Sequence, residues 1–247
     1  MRRFLTWKWV LSHVFVVSMV VAMTGLGFWQ LQRLDERKVR NVEVRAAIEA
    51  DPVPVEALLG NPTLAPDDPP LDQRLVLVAG EYLEDESFFV ANRTFESQAG
   101  LWLATPMRLA DGRIVVVSRG WVPRLWASGD DVREIDTPTG TIEVLGRFLS
   151  SVEGGRIGGG STSILPEVSR LDIGAVEEML DLDLENSWVQ LVEQAPPLGE
   201  LPIPVPPPGL DEGPHLSYAF QWFFFAVGTV VAYGLILRAR SRAPAEH

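Results

Sequence analysis

The chain has 247 residues, no cysteine, three histidines and a formal net charge of −12. Without cysteine there are no disulfides, no covalent c-type haem attachment, no thiolate metal sites and no thiol nucleophile. The histidines are His13, His215 and His247 and the lysines Lys8 and Lys38, so the region between residues 39 and 214 can build no serine–histidine–carboxylate triad, imidazole metal cage or serine–lysine dyad, and the acid excess repels nucleic acid.

Residues 1–8 form a basic tail with Arg2, Arg3 and Lys8. Trp9 to Leu31 then runs without a formal charge, and at ~1.5 Å per residue it exceeds a ~30 Å hydrocarbon core. It predicts a first transmembrane helix over 9–31. A cleaved signal peptide is the alternative, but the run outlasts a usual apolar region and no small-x-small cleavage site follows. Ser18, Ala22, Gly25 and Trp29 share one side of this helix, and small residues let helix backbones approach. Gly25 and Trp29 are therefore candidate partner contacts, with packing between this chain's own two spans as the other reading.

Residues 32–50 keep a helical register through Leu34, Val39, Val42 and Ala46, predicting a helical extension that Asp51-Pro52-Val53-Pro54 ends. A loop is expected at Pro66 to Pro70. Strand patterns follow at Arg74–Ala79, Ser87–Arg93, Leu101–Met107, Arg113–Trp121, Thr141–Phe148 and Trp188–Val192, where β-branched and aromatic runs alternate with turn residues. One helix stands among them, Ile173–Leu180 behind an Asp172 N-cap. Residues 51–195 thus predict a mainly antiparallel β domain, a sandwich or partly open barrel, with one or two short helices. Glu153 to Ser163, rich in glycine, reads as a flexible loop, since it lacks the Gly-Lys-Ser/Thr ending of a phosphate loop. Residues 196–214, rich in proline, read as an extended linker.

The second apolar run predicts a transmembrane helix over 215–237, with residues 238–247 a second basic tail. Two spans put both tails on one side, and Arg2, Arg3, Lys8, Arg238, Arg240 and Arg242 make that side cytoplasmic. The middle domain is then extracytoplasmic and the chain a two-span protein of the cell membrane. Arg33, Arg37, Lys38, Arg40 and Arg45 crowd the outer end of the first span and weaken that inference. The middle is strongly acidic, which suits either a solvated surface or a basic partner. Paired carboxylates could in principle support hydrolysis, though no spacing singles out a pair.

His215 follows Pro214 in the first turn of the second span. Neutral imidazole binds iron, and His215, Tyr218, Ala219 and Trp222 form one stripe of the helix. The stripe could hold a porphyrin, pack a neighbouring helix or lie in an interfacial aromatic belt.

Four segments occur in order: Gly27-Phe28-Trp29-Gln30-Leu31-Gln32-Arg33; Asn92-Arg93-Thr94 with Gly100 and Thr105-Pro106-Met107; Arg119-Gly120-Trp121-Val122-Pro123; and Pro214-His215-Leu216-Ser217-Tyr218-Ala219 with Trp222-Phe223. Together they resemble the surfeit-locus cytochrome c oxidase assembly family, the Shy1-like proteins. The resemblance implies a non-catalytic assembly factor of an aa3-type haem–copper oxidase, without catalytic or metal-site residues of its own. It would assist haem a insertion into, or stabilisation of, the haem-bearing catalytic subunit. It also implies haem a as a transient cofactor, with His215 as axial ligand and Tyr218 and Trp222 beside the macrocycle. Arg33, Arg119 and Trp121, from the same segments, are the further expected partner contacts. The expected partners are oxidase subunits, the lipid bilayer and a respiratory supercomplex. The alternative is a stoichiometric accessory subunit of the oxidase or supercomplex that binds no cofactor.

Overall fold

The computed structural model describes residues 6–60, 68, 70–128, 137–158, 163 and 165–242. Among them are three α-helices, α1 (Trp7–Glu49), α2 (Ile173–Leu180) and α3 (His215–Arg242). The strands are β1 (Val53–Pro54), β2 (Leu75–Tyr82), β3 (Phe88–Phe95), β4 (Gln98–Leu109), β5 (Ile114–Pro123), β6 (Ile142–Ser150), β7 (Glu167–Val168) and β8 (Ser187–Ala195). The chain divides into a helical unit, Met1–Val42 with Leu210–His247, and a β unit, Glu43–Gly209. The expected fold class, two apolar helices flanking a mainly antiparallel β domain, is the one observed.

In the helical unit, α1 (43 residues) and α3 (28 residues) are each long and apolar enough to cross a membrane. Their Phe15, Val21, Phe220 and Phe224 side chains are exposed, a surface suited to lipid and costly in water. The helices meet where Phe223 lies on Gly27; a Cβ at Gly27 would stand 2.6 Å from the Phe223 ring. Phe28 meets the same ring edge-on at 5.4 Å between centroids. Ala219 and Ala226 are buried, as small residues at a close crossing should be. Polar ties flank this apolar contact. The Tyr233 hydroxyl meets Ser12 Oγ at 3.0 Å and His13 Nδ1 at 2.6 Å, so His13 is engaged between the helices. Asn41 Nδ2 donates to the Leu210 and Asp211 carbonyls at 2.9 and 3.2 Å, holding the chain as it enters α3.

In the β unit the strand order is β1-β2-β6-β8-β5-β4-β3-β7, with a further pairing of β2 to β4. That pairing, Gly80–Tyr82 against Leu109–Met107, closes β2, β6, β8, β5 and β4 into a five-stranded ring. Alternate residues of each strand fill the ring: Val76 and Val78, Ile142 and Val144, Val189 and Leu191, Val115 and Val117, Met107 and Leu109. Period-two alternation puts one residue in two on the inner face. The others on β5 are not wet, because α2 covers them: Val116 packs with Ile173, Val176, Leu184 and Trp188. Asp172 Oδ1 accepts from the Ala175 backbone N–H at 3.4 Å and caps α2, while its Oδ2 accepts from Gly155 N at 2.8 Å. Those backbone donors, Gly155 first, hold the Asp172 carboxyl below its usual range.

Three strand contacts are parallel, β1 with β2, β3 with β7 and β5 with β8, in a sheet otherwise antiparallel. β1 and β7 each have two residues, too few for a periodic signal. The glycine-rich and proline-rich segments each make ordered contacts in part. In the glycine-rich segment, residues 159–162 lie outside the described residues, but its first part is held in place. Gly158 N donates to the Glu167 carbonyl at 2.9 Å, Arg156 N donates to Ser169 Oγ at 2.9 Å, and Ile157 bridges Val168. The proline-rich segment is docked over its first part: Trp121 N donates to Ile203 O at 2.7 Å, and Ile203 N to Trp121 O at 2.9 Å. Arg147 adds a bond to the Val205 carbonyl at 2.7 Å. Proline removes donors but leaves carbonyls, and these carbonyls are used. Of the Pro66–Pro70 loop, only Asp68 and Pro70 are described residues.

Tyr82 lies under Arg119, whose guanidinium carbon is 5.0 Å from its ring centroid, and its hydroxyl donates to Gln194 Oε1 at 3.2 Å. Burial pushes the phenol pKa above its ordinary value, with Arg119 opposing. The folded chain therefore holds this proton more tightly than the unfolded chain. The stabilisation is full below ~10, the usual tyrosine value, and is lost as pH rises through the higher folded value. Tyr82→Phe should flatten the alkaline fall in stability, read as denaturant midpoints at neutral and strongly alkaline pH.

Candidate functional site

His215 opens α3 and is half-buried. Its Nδ1–H donates to Gln30 Oε1 of α1 at 2.9 Å. That bond fixes the tautomer with the lone pair on Nε2, which lies beside Gly213 and has no hydrogen-bond partner among the described residues. Ser217 Oγ donates to the Pro214 carbonyl at 2.8 Å, and Tyr218 N donates to the same carbonyl at 3.1 Å, so the first turn is firmly closed. Gly213 N in turn donates to Asp211 Oδ1 at 3.0 Å just before it.

Tyr218 and Trp222 lie one and two turns further along the His215 side of α3. Tyr218 is exposed and Trp222 half-buried, its ring edge-on to Phe225 at 6.3 Å. A nitrogen donor at the head of an aromatic, partly uncovered stripe fits haem iron and a flat macrocycle chemically. No group of three or more His, Asp or Glu that could hold a metal ion occurs among the described residues.

Gly25 and Trp29 are exposed with Ser18 and Ala22 on their side of α1. A Cβ at Gly25 would meet nothing within 4 Å. The two helices therefore pack through Gly27, and the Gly25 stripe is left uncovered. Arg33 is half-exposed and pairs with Glu36 one turn on at 2.7 Å.

Arg119 and Trp121 stand elsewhere, inside the β unit, at 1% and 4% exposure. The expectation of partner contacts for them meets a physical obstacle. The β4–β5 register slips between Leu103 and Ala104, which pair with Gly120 and Ser118. Arg119 is thus the extra residue of a β-bulge, and a bulge re-aims its side chain. Its guanidinium stacks on Tyr82 and donates to Thr137 Oγ1 at 2.9 Å. Trp121 Nε1 donates to the Arg93 carbonyl at 3.3 Å, and its ring tilts on Phe95. In the structure both residues hold the β unit together.

Gln30 is the residue that sequence reasoning missed. It lies within the first-span motif, and an amide in an apolar run needs a partner. That partner is set by the helix crossing, which one segment alone does not reveal.

An acid-lined cavity of about 420 Å3 is formed by Asp111, Arg113, Asp183 and Glu185 with their neighbours. Arg113 Nε donates to Asp111 Oδ2 at 2.7 Å, and its NH1 reaches Glu185 Oε1 at 3.5 Å. Hydrogen bonds from Arg113, its backbone N–H first, hold the Asp111 carboxyl below its usual range. Arg113 thus ties Asp111 and Glu185 into an ion-pair network.

A family model described as the SURF1 family matches residues 17–227. An uncharacterized SURF1-like protein of Mycobacterium tuberculosis (strain H37Rv) is 27% identical over 238 residues, covering 94% of this chain and 84% of the relative. A SURF1-like protein of Rickettsia bellii is 26% identical over 239 residues, 92% of this chain and 90% of the relative. One from Monosiga brevicollis is 25% identical over 252 residues, 90% and 86% of the two chains.

Proposed function

The chain belongs to the SURF1 family, whose members are cytochrome oxidase assembly factors, and we propose that it assists haem a insertion into the catalytic subunit of an aa3-type oxidase. The observation that carries this reading is the His215–Gln30 pair. Bound haem a would supply the redox centre of the oxidase; this chain's residues hold it and do not react. His215 would hold it through Nε2, with Gln30 orienting the ring, and Tyr218 and Trp222 would offer the flanking surface. In this reading α1 and α3 span the cell membrane, both termini are cytoplasmic and the acidic β unit is extracytoplasmic. That orientation rests on Arg238, Arg240 and Arg242 with the basic N-terminal tail.

The test is production of the full chain together with the haem a synthesis enzymes. Purified protein should carry a haem absorbance spectrum; colourless protein from cells that make haem a would overturn the cofactor role.

The uncovered Gly25–Trp29 side of α1 favours docking onto transmembrane helices of the oxidase, transiently or as a stoichiometric subunit of it or of a supercomplex. Gly25→Leu should leave the chain folded, since nothing lies within 4 Å of the added group. It should also reduce co-purification with the oxidase several-fold. Equal recovery with both versions would take Gly25 out of the interface. The amount of chain in gently purified mature oxidase separates the roles: equimolar for a subunit, traces for an assembly factor.

A further inference from the structure

Arg93, Arg170, Trp102, Trp188, Ser169 and Leu171 line a cavity of about 330 Å3 in the β unit. The β3–β4 register shifts between Val90 and Arg93, where Asn92 takes a positive φ of 58°. This irregularity lays Arg93 over Trp102, with Cζ 4.2 Å from the ring centroid. Trp102 and Trp188 stand 6.2 Å apart and make a continuous aromatic wall. Trp188 is fixed by donating from Nε1 to the Ser150 carbonyl at 3.1 Å.

Among the described residues these cations pair with no anion. Arg93 Nε is buried and makes no hydrogen bond among the described residues. Neither Arg93 nor Arg170 takes part in an ion pair there. Burial first, and then the like charge of Arg170, pull the Arg93 pKa below its ordinary value. Stacking on Trp102 explains where the Arg93 side chain rests. It does not explain two guanidiniums sharing a cavity without a carboxylate, in a chain with 33 acids against 21 Lys and Arg. Ser169 Oγ accepts from Arg156 N at 2.9 Å, so the hydroxyl proton remains to be donated.

We infer that this cavity binds an oxyanion carried on a flat apolar body, a small aromatic carboxylate in type. Arg93 and Arg170 take the charge, Ser169 donates to it, and Trp102 and Trp188 take the ring. Guanidinium forks match carboxylate geometry, and an aromatic wall rewards a planar ligand. The volume is near the small end of ligand pockets, ~300–1,000 Å3, and suits one or two fused rings. The site lies wholly in the β unit and does not depend on the haem reading.

The test uses the full chain in nanodiscs of zwitterionic lipid, titrated with 2-naphthoate, its uncharged amide and inorganic phosphate. Binding is followed by tryptophan quenching and by saturation-transfer NMR of the ligand. Saturable binding of 2-naphthoate is expected, weakened roughly tenfold or more by Arg170→Gln or Arg93→Gln, as loss of a charge-assisted bond implies. Arg170 is exposed, so its variant decides if Arg93→Gln fails to fold. Equal binding of the amide would overturn the role of charge, and equal binding of phosphate would overturn the apolar body. Naphthoate binding that is absent, or unchanged in Arg170→Gln, would overturn the site.

Discussion

Gly120→Ala should destabilise the β unit by roughly 2–5 kcal/mol, the sum of a forced backbone conformation and an overpacked contact. Gly120 has φ +148°, a conformation that L side chains rarely adopt, and an added Cβ would collide with the Ile203 carbonyl. That carbonyl is backbone and cannot rotate away. It also accepts from Trp121 N, so relieving the collision breaks the hydrogen-bonded pair that docks the proline-rich segment. Arg147, 3% exposed with the segment docked, would then lose its Val205 acceptor and keep only Gln190 Oε1, and loss of a charge-assisted bond is costly. Chemical denaturation of the full chain, with proteolysis mapped across residues 196–209, measures both effects. Ile203→Ala, which keeps the backbone pair, should cost much less. Parental stability and protection in Gly120→Ala would mean that the segment does not need that close approach.

His215→Ala should abolish haem co-purification, and Gln30→Leu should lower haem affinity by roughly 10–100-fold, the usual loss when an outer hydrogen-bond partner of a ligating histidine is removed. The reason is geometric. Without an acceptor at Nδ1, the His215 ring is free to rotate and to exchange tautomers, and Nε2 is presented only part of the time. Gln30→Glu keeps an acceptor at the same reach and should restore binding. Titration of purified apoprotein with haem, followed by absorbance, gives the affinities. Parental affinity in Gln30→Leu would remove Gln30 from the site, and parental affinity in His215→Ala would move the ligand elsewhere.

The strands and α2 were legible because their signals are local. Val115 and Val117 alternate with covered neighbours, and Asp172 stands one position before the α2 run. Closure of the ring was not legible, since it depends on three residue pairs where the long β4 strand returns to β2. β1 and β7 were too short to see, and both join by parallel contacts to distant segments. The Arg119-Gly120-Trp121 motif was plain as a motif, but the bulge that turns Arg119 inward depends on the slip against β4. At the candidate site, Pro214 placed His215 in a first helical turn. Its partner Gln30, 185 positions away, required two helices to cross.

The haem and docking roles both rest on participation in oxidase biogenesis. The direct measurement is the reduced-minus-oxidised difference spectrum of membranes from a strain lacking this gene, with and without a restored copy. The account predicts a diminished haem a band beside intact b-type cytochromes, recovered by the parental copy and poorly by His215→Ala at equal expression. An undiminished haem a band in the deletion strain would contradict it.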